Sequence, residues 1–134
     1  MSTVAFVTFE APHLPGVLAL CEAEGWPSLP SDPARAETML LAPNATTVVA
    51  VDADAVVGVG FALVDAGPVD AYLSILVVHP QYRRQDIARR LVAEVFRLSG
   101  AERIDLLAEP GSEGFYDSFP HRRFAGYRLY PEPT

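Results

Sequence analysis

The chain has no lysine, a single cysteine and no long apolar run, and each shortage removes a class of function. Its 10 basic residues, all arginine, stand against 17 acids and leave a net charge of −7 with histidine neutral. Binders of nucleic-acid polymers and of anionic membranes carry a basic excess, so neither partner is expected. Cys21 alone cannot build an intramolecular disulfide framework or a cysteine-rich zinc site. No cluster of histidine, cysteine and carboxylate has metal-ligand spacing, so no metal is expected. A bilayer-spanning helix needs about 18 or more consecutive apolar residues, and none occur. The opening MSTVAFVTFEAP has neither the basic start nor the apolar stretch of a signal peptide, which points to the cytoplasm. What remains is 134 residues, 50% of them hydrophobic. That is enough for a compact core and the size of one domain, residues 1–134.

Charge is unevenly spread. Residues 1–82 hold nine acids and one base, Arg35, whereas residues 83–134 hold nine arginines and eight acids. Five of those arginines fall between Arg83 and Arg97. A local basic patch in an acidic protein suggests a bounded anionic ligand; a solvated helix face is the plainer reading of such a cluster.

The hydrophobic pattern alternates between periods. Val4–Phe9 reads as a strand. Leu14, Val17, Leu18 and Cys21 follow at helical spacing, with Pro15 in the first turn and Gly25 closing the helix. Ser31-Asp32-Pro33 is a helix start leading into Ala34–Leu41. Thr46–Val51 and Val56–Val64 read as strands around the turn Asp52-Ala53-Asp54-Ala55. After a second turn at Asp65-Ala66-Gly67-Pro68 comes the strand Ala71–Val78. Ile87, Leu91, Val95 and Leu98 share one face of an amphipathic helix that Gly100 ends. A short strand Ile104–Ala108, a short helix Ser112–Phe119 and a last strand Phe124–Tyr130 complete the order. This is an α/β (α+β) layered domain with a mixed sheet. The sequon Asn44-Ala45-Thr46 is expected to be idle without secretion.

The stretch LSILVVHPQYRRQDIARRL carries the chemistry. A buried strand ends at His79-Pro80, an arginine-bearing loop follows, and a helix begins near Asp86 or Ile87. Unpaired N–H groups in the loop and first turn, with the helix dipole, make such a junction an anion site. Arg83, Arg84 and Arg89 add full positive charge, so a phosphate or pyrophosphate ligand is expected.

These residues resemble the cofactor segment of the GNAT superfamily of N-acetyltransferases, Val-x-Pro-x-x-Arg-x-x-Gly-Ile-Gly/Ala-x-x-Leu. The chain supplies Val78, Pro80, Arg83, Ile87, Ala88 and Leu91 at the matching positions. The strand VVGVGFALV and the run EGFYDSFPHRRFAGYRLY are similar to the family's preceding strand and to its Phe-Tyr helix with closing strand. The resemblance implies a mostly antiparallel central sheet with helices on both faces, splayed between the fourth strand and its neighbour, here Ile104–Ala108. It implies acetyl-CoA as cosubstrate, with the main chain of Leu76, Val77 and Val78 along the pantetheine arm. The pyrophosphate would lie on Arg83, Arg84, Gln85, Asp86, Ile87, Ala88 and Arg89. Tyr116 matches the tyrosine that protonates the departing thiolate. Trp26 and Ser28, between the first two helices, match the acceptor pocket, although plain packing explains Trp26 equally well. The implied reaction is acetyl transfer to a primary amine, of a small molecule or a peptide, by direct attack, with an oxyanion donor near Val77. The resemblance also makes a homodimer plausible.

One motif position departs: Asp86 stands where the family has its first glycine. A carboxylate there repels a pyrophosphate, at about 3 kcal/mol for unit charges roughly 5 Å apart in a medium of dielectric near 20. Asp86 could instead cap the helix or turn outward to Arg83 or Arg90. If it fills the anion site, the chain is a GNAT-like binding or regulatory module with impaired CoA binding. Other candidates have bland readings: His79 as loop packing, His121 as surface, Asp70 and Glu109 as solvated acids, and Cys21 as a small core residue.

Overall fold

The computed structural model describes residues 3–26, 29–65 and 69–133. The element order is β1 (Val4–Thr8), α1 (Leu14–Ala23), α2 (Pro33–Leu40), β2 (Ala45–Asp52), β3 (Ala55–Val64), β4 (Asp70–Val78), α3 (Ile87–Ser99), β5 (Arg103–Asp105) and α4 (Glu113–Asp117). Single 3-10 turns lie at Ala11–His13 and Pro80–Tyr82. The five strands form one sheet in sequence order, antiparallel except for the parallel pair β4–β5. The expected turn at residues 65–68 lies largely outside the described residues.

Alternation of side chains along the strands gives the sheet two apolar faces. Val48, Ala50 and Ala62 pack on one side with Ile87, Leu91, Val92 and Val95 of α3. Val49, Val59, Phe61, Ile75 and Val77 pack on the other with Val17, Leu20 and Cys21 of α1 and Leu40 of α2. The four buried α3 side chains contribute roughly 1.5–3 kcal/mol each by leaving water, before entropy is counted. The two glycines inside β3 let α3 approach the sheet. A Cβ at position 58 would meet Leu91 Cδ1 at 3.1 Å and Ile87 Cγ2 at 3.3 Å.

Local chemistry sets the helix ends. The Asp32 carboxylate accepts from the Arg35 N–H at 3.2 Å, with Pro33 at the first helical position. Gly25, at φ +78°, closes α1: its N–H donates to the Glu22 carbonyl and the Trp26 N–H to the Cys21 carbonyl. Gly100, at φ +70°, closes α3.

Two expected strands are corrected. Ile104–Ala108 is strand only at Arg103–Asp105, because the β4–β5 register holds for three pairs, from Asp70↔Arg103 to Tyr72↔Asp105. Phe124–Tyr130 forms no strand. Its apolar, β-prone residues stay in solvent, Phe124 at 70% and Tyr127 at 81% exposure, with no ladder partner among the described residues. Strand propensity measures fit to a half-buried pleated surface, and here the segment lies on none.

Candidate functional site

Beyond Tyr72, β4 runs on to Val78 with no β5 partner, so the sheet is splayed between its fourth and fifth strands. The His79 N–H donates to the Val57 carbonyl at 2.8 Å. Two-residue alternation then turns the Val77 N–H toward β3 as well and the N–H groups of Leu76 and Val78 into the splay. The polar groups free for a ligand thus belong to Leu76 and Val78, on either side of Val77. A β-bulge in β4 puts Ser74 as an extra residue between Leu73 and Ile75, just where β4 leaves β5.

The loop after β4 is shaped by its hydrogen bonds. His79 Nδ1 accepts from the Gln81 N–H at 3.1 Å, and its ring meets Tyr82 edge-on. His79 therefore packs the loop. The Tyr82 hydroxyl donates to Asp52 Oδ2 at 2.5 Å, tying the loop to the β2–β3 hairpin. That hydrogen bond holds the Tyr82 phenol above its ordinary pKa. Arg84 and Asp86 both sit in the left-handed region, at φ +67° and +60°. Asp86 in that conformation followed by helical Ile87 aims successive N–H groups to one side, the concave arrangement that binds anions. Among the described residues, the N–H groups of Arg84, Gln85 and Asp86 have no protein acceptor, and the first turn of α3 adds its own unpaired donors.

The expected residues meet around one pocket of about 780 Å³. Leu76, Val77 and Val78 form its β4 wall; Arg83, Arg84, Asp86, Ile87, Ala88 and Arg89 form the loop and helix wall. Trp26 closes the end nearest α1, and Tyr116, with Phe115, closes the side nearest α4. Gln85 does not line it; its side-chain amide turns back to the Gln81 carbonyl at 3.4 Å. Ser28 lies outside the described residues.

The arginines are not equivalent. Arg83 is ion-paired to Glu24, the residue that caps α1. Arg89 stacks over the Phe119 ring at 4.1 Å and donates to Ser118 Oγ at 2.5 Å, joining α3 to the end of α4. Arg84 has no hydrogen bond or ion pair among the described residues.

Asp86 corrects two expectations. It precedes α3 but its side chain makes no cap hydrogen bond, because the left-handed backbone turns it away from the first-turn donors. Nor does it pair with Arg83 or Arg90, since Glu24 takes the first and the Phe6 ring, at 4.1 Å, the second. Its exposed carboxylate is on the pocket rim.

Tyr116 is partly buried, and burial raises its phenol pKa, so it carries its proton at neutral pH. Burial also pushes the Cys21 thiol up to about 11, so it is inert in the core. Asp70 pairs with Arg103, and His121 lies near Asp117 at 3.5 Å. No group of described residues could hold a metal ion, and none of the helices is long and apolar enough to cross a membrane. Sequence reading missed Glu24, Asp52 and Tyr82. Their pairings span 59 and 30 residues, which no local pattern announces.

Known structures share this fold. No curated relative matches the sequence. Among solved structures, the aminoglycoside N-acetyltransferase AAC(6')-Iy in complex with CoA superposes with a TM-score of 0.82 at 20% identity, covering 98% of this chain and 96% of its own. A Trypanosoma brucei acetyltransferase gives 0.79 at 18% identity, covering 97% and 100%. A GNAT family acetyltransferase from Streptococcus pneumoniae gives 0.73 at 25% identity, covering 99% and 100%. The family model described as "Acetyltransferase (GNAT) domain" matches residues 18–126. That match takes in both sheet faces, the arginine loop and Tyr116, and the chain belongs to the GNAT acetyltransferase family.

Proposed function

We propose that this chain, as one domain spanning residues 1–134, is an acetyl-CoA-dependent N-acetyltransferase of the cytoplasm acting on a cationic primary amine. One observation carries the reading: the β4 splay, the anion-facing loop and Tyr116 all open on the same pocket. The residues fit acetyl-CoA. Acceptor-free N–H groups at Arg84–Asp86 and the α3 N-terminus suit a pyrophosphate, and the free N–H groups of Leu76 and Val78 suit the amide-bearing arm. Acetyl-CoA supplies an activated acyl group; the rest of the chemistry belongs to the chain.

A lysine-like amine has a pKa near 10.4, so presenting it neutral at pH 7 costs about 4.6 kcal/mol. Removing that proton falls to a base or a water in the pocket. A splay-facing N–H of Leu76 or Val78 donates to the oxygen that gains charge during direct attack. Tyr116, kept protonated by burial, donates to the departing sulfur. Trp26 and Glu24 line the acceptor end, one offering an aromatic wall and the other a carboxylate for a cation. Aminoglycosides, named with structural neighbours, are acceptors of this cationic class.

The second reading rests on Asp86, whose unpaired carboxylate on the pocket rim favours a GNAT-fold binding module with weakened CoA affinity. Calorimetric titration of acetyl-CoA separates the two. Micromolar binding, followed by thiol release with an amine panel, supports the enzyme. Absent binding that Asp86→Gly restores supports the module.

A further inference from the structure

Arg89 projects from the first turn of α3, where the helix dipole opposes a cation, so its charge needs another hold. Its guanidinium stands 4.1 Å from the centre of the Phe119 ring and donates to Ser118 Oγ at 2.5 Å. A cation over an aromatic face and a charge-assisted hydrogen bond together fix one orientation. Arg84, on the same pocket, has no such partner among the described residues. An anion entering the pocket takes Arg84 freely, whereas it takes Arg89 only by breaking both contacts.

Those contacts lead to Tyr116. Ser118 Oγ, which accepts from Arg89, donates in turn to the Phe115 carbonyl at 2.5 Å. The Phe119 ring meets Phe115 edge-on with centroids 5.1 Å apart, and Phe115 meets Tyr116 at 5.0 Å. One guanidinium thus holds both the main chain and the ring stack that carry Tyr116. The helix needs such a hold. At five residues α4 is too short to persist by itself, and its main-chain hydrogen bonds to flanking described residues stay within residues 109–119. Phe115, Tyr116 and Phe119 pack on the α3-side core, but apolar packing is non-directional and does not by itself aim a hydroxyl.

We infer that Arg89 is a positioning residue: it fixes α4 against α3 and so aims the Tyr116 hydroxyl at the pocket, leaving the cofactor phosphates to Arg84 and the loop N–H groups. The inference rests on the proposed acid role of Tyr116. Arg89 acts through geometry rather than charge, since burial is what raises the Tyr116 phenol pKa. The two arginines divide the work. Arg84 binds and Arg89 aims.

The test takes Arg89→Gln, Ser118→Ala, their double variant and Arg84→Gln through steady-state acetyl transfer with an amine panel and calorimetric titration of CoA. Arg89 and Ser118 are exposed, so the variants keep the parent's circular dichroism. Arg89→Gln should lower kcat about tenfold, as a small misplacement of a reacting group does, with the CoA dissociation constant within about twofold of the parent's. Ser118→Ala removes no charge and should do the same, and the double variant should be no worse than either single one. Arg84→Gln should instead weaken CoA binding about tenfold. A loss of CoA affinity in Arg89→Gln as large as that makes Arg89 a phosphate ligand and overturns the inference. So does an unchanged kcat in Arg89→Gln where Tyr116→Phe is impaired. If no amine is acetylated, or Tyr116→Phe is unimpaired, the acid role falls by itself, and hydrogen exchange decides the positioning. Amides 113–119 must then exchange faster in Arg89→Gln than in the parent chain; equal rates overturn the inference.

Discussion

Arg83 and Glu24 form an ion pair that joins the loop between β4 and α3 to the end of α1. The Arg83 side chain is 56% exposed and that of Glu24 only 15%, so the arginine is the partner free to leave. An anion bound at the loop, as proposed, would compete with Glu24 for it, and the carboxylate so released would face the α1 end of the pocket. Exposed ion pairs contribute about 0.2–1 kcal/mol. Glu24→Gln should therefore tighten CoA binding by up to about fivefold in a calorimetric titration. Weaker binding would show instead that Glu24 holds Arg83 in place.

Asp86→Gly removes a carboxylate from the rim and a left-handed backbone from a residue with a Cβ. Solvent exposure softens the repulsion, so CoA affinity should rise about five- to thirtyfold. Melting temperature should change little, because relieved strain is offset by the unfolded-state entropy of glycine. An unchanged dissociation constant would mean that the carboxylate never faces the phosphates.

Tyr116→Phe keeps the ring and removes the hydroxyl proposed as proton donor. Turnover should fall about a hundredfold, the lower range for general acid catalysis, while CoA affinity holds. Burial raises the Tyr116 pKa, so its proton stays available through neutral pH. An alkaline loss of activity below about pH 10 would have to come from another group. Unchanged turnover would remove Tyr116 from the chemistry.

Gly58 and Gly60 both face α3, at different distances. A Cβ at Gly58 meets Leu91 at 3.1 Å, whereas one at Gly60 finds its nearest atom, on Val95, at 3.4 Å. Gly58→Ala should cost about 1–3 kcal/mol by overpacking, and Gly60→Ala less than about 1 kcal/mol. Urea unfolding reads the stabilities. Because the proposed anion site lies at the start of α3, Gly58→Ala should weaken CoA binding too.

Cys21 gives the protein an alkaline weakness. Its pKa in the fold is about 11 against an ordinary 9.0, because ionisation in the core is penalised. The folded state holds the proton more tightly than the unfolded one. Stability from this group is therefore full below pH 9 and is lost as pH rises toward 11, by about 2–3 kcal/mol. Cys21→Ala should flatten that part of a stability–pH profile measured by urea unfolding. A loss of the same size in the variant would assign it elsewhere.

The sequence by itself determined the layers and most of the residues that wall the pocket. Apolar periods of 2 and 3.6 are local properties of consecutive residues, and so are the Asp32-Pro33 start and the Gly25 and Gly100 stops. The motif from Val78 to Leu91 was legible for the same reason: a strand, a loop and a helix N-terminus adjoin in sequence as they do in space. Tertiary structure alone decided what depends on distant partners. It sent Arg83 to Glu24 and Tyr82 to Asp52, turned the splay-facing N–H groups to Leu76 and Val78, and left Asp86 uncapped and unpaired. It also ended β5 after three residues. The strand propensity of Phe124–Tyr130 is written in its residues, but a strand exists only where another strand accepts its hydrogen bonds, and that edge is not part of the segment's own sequence.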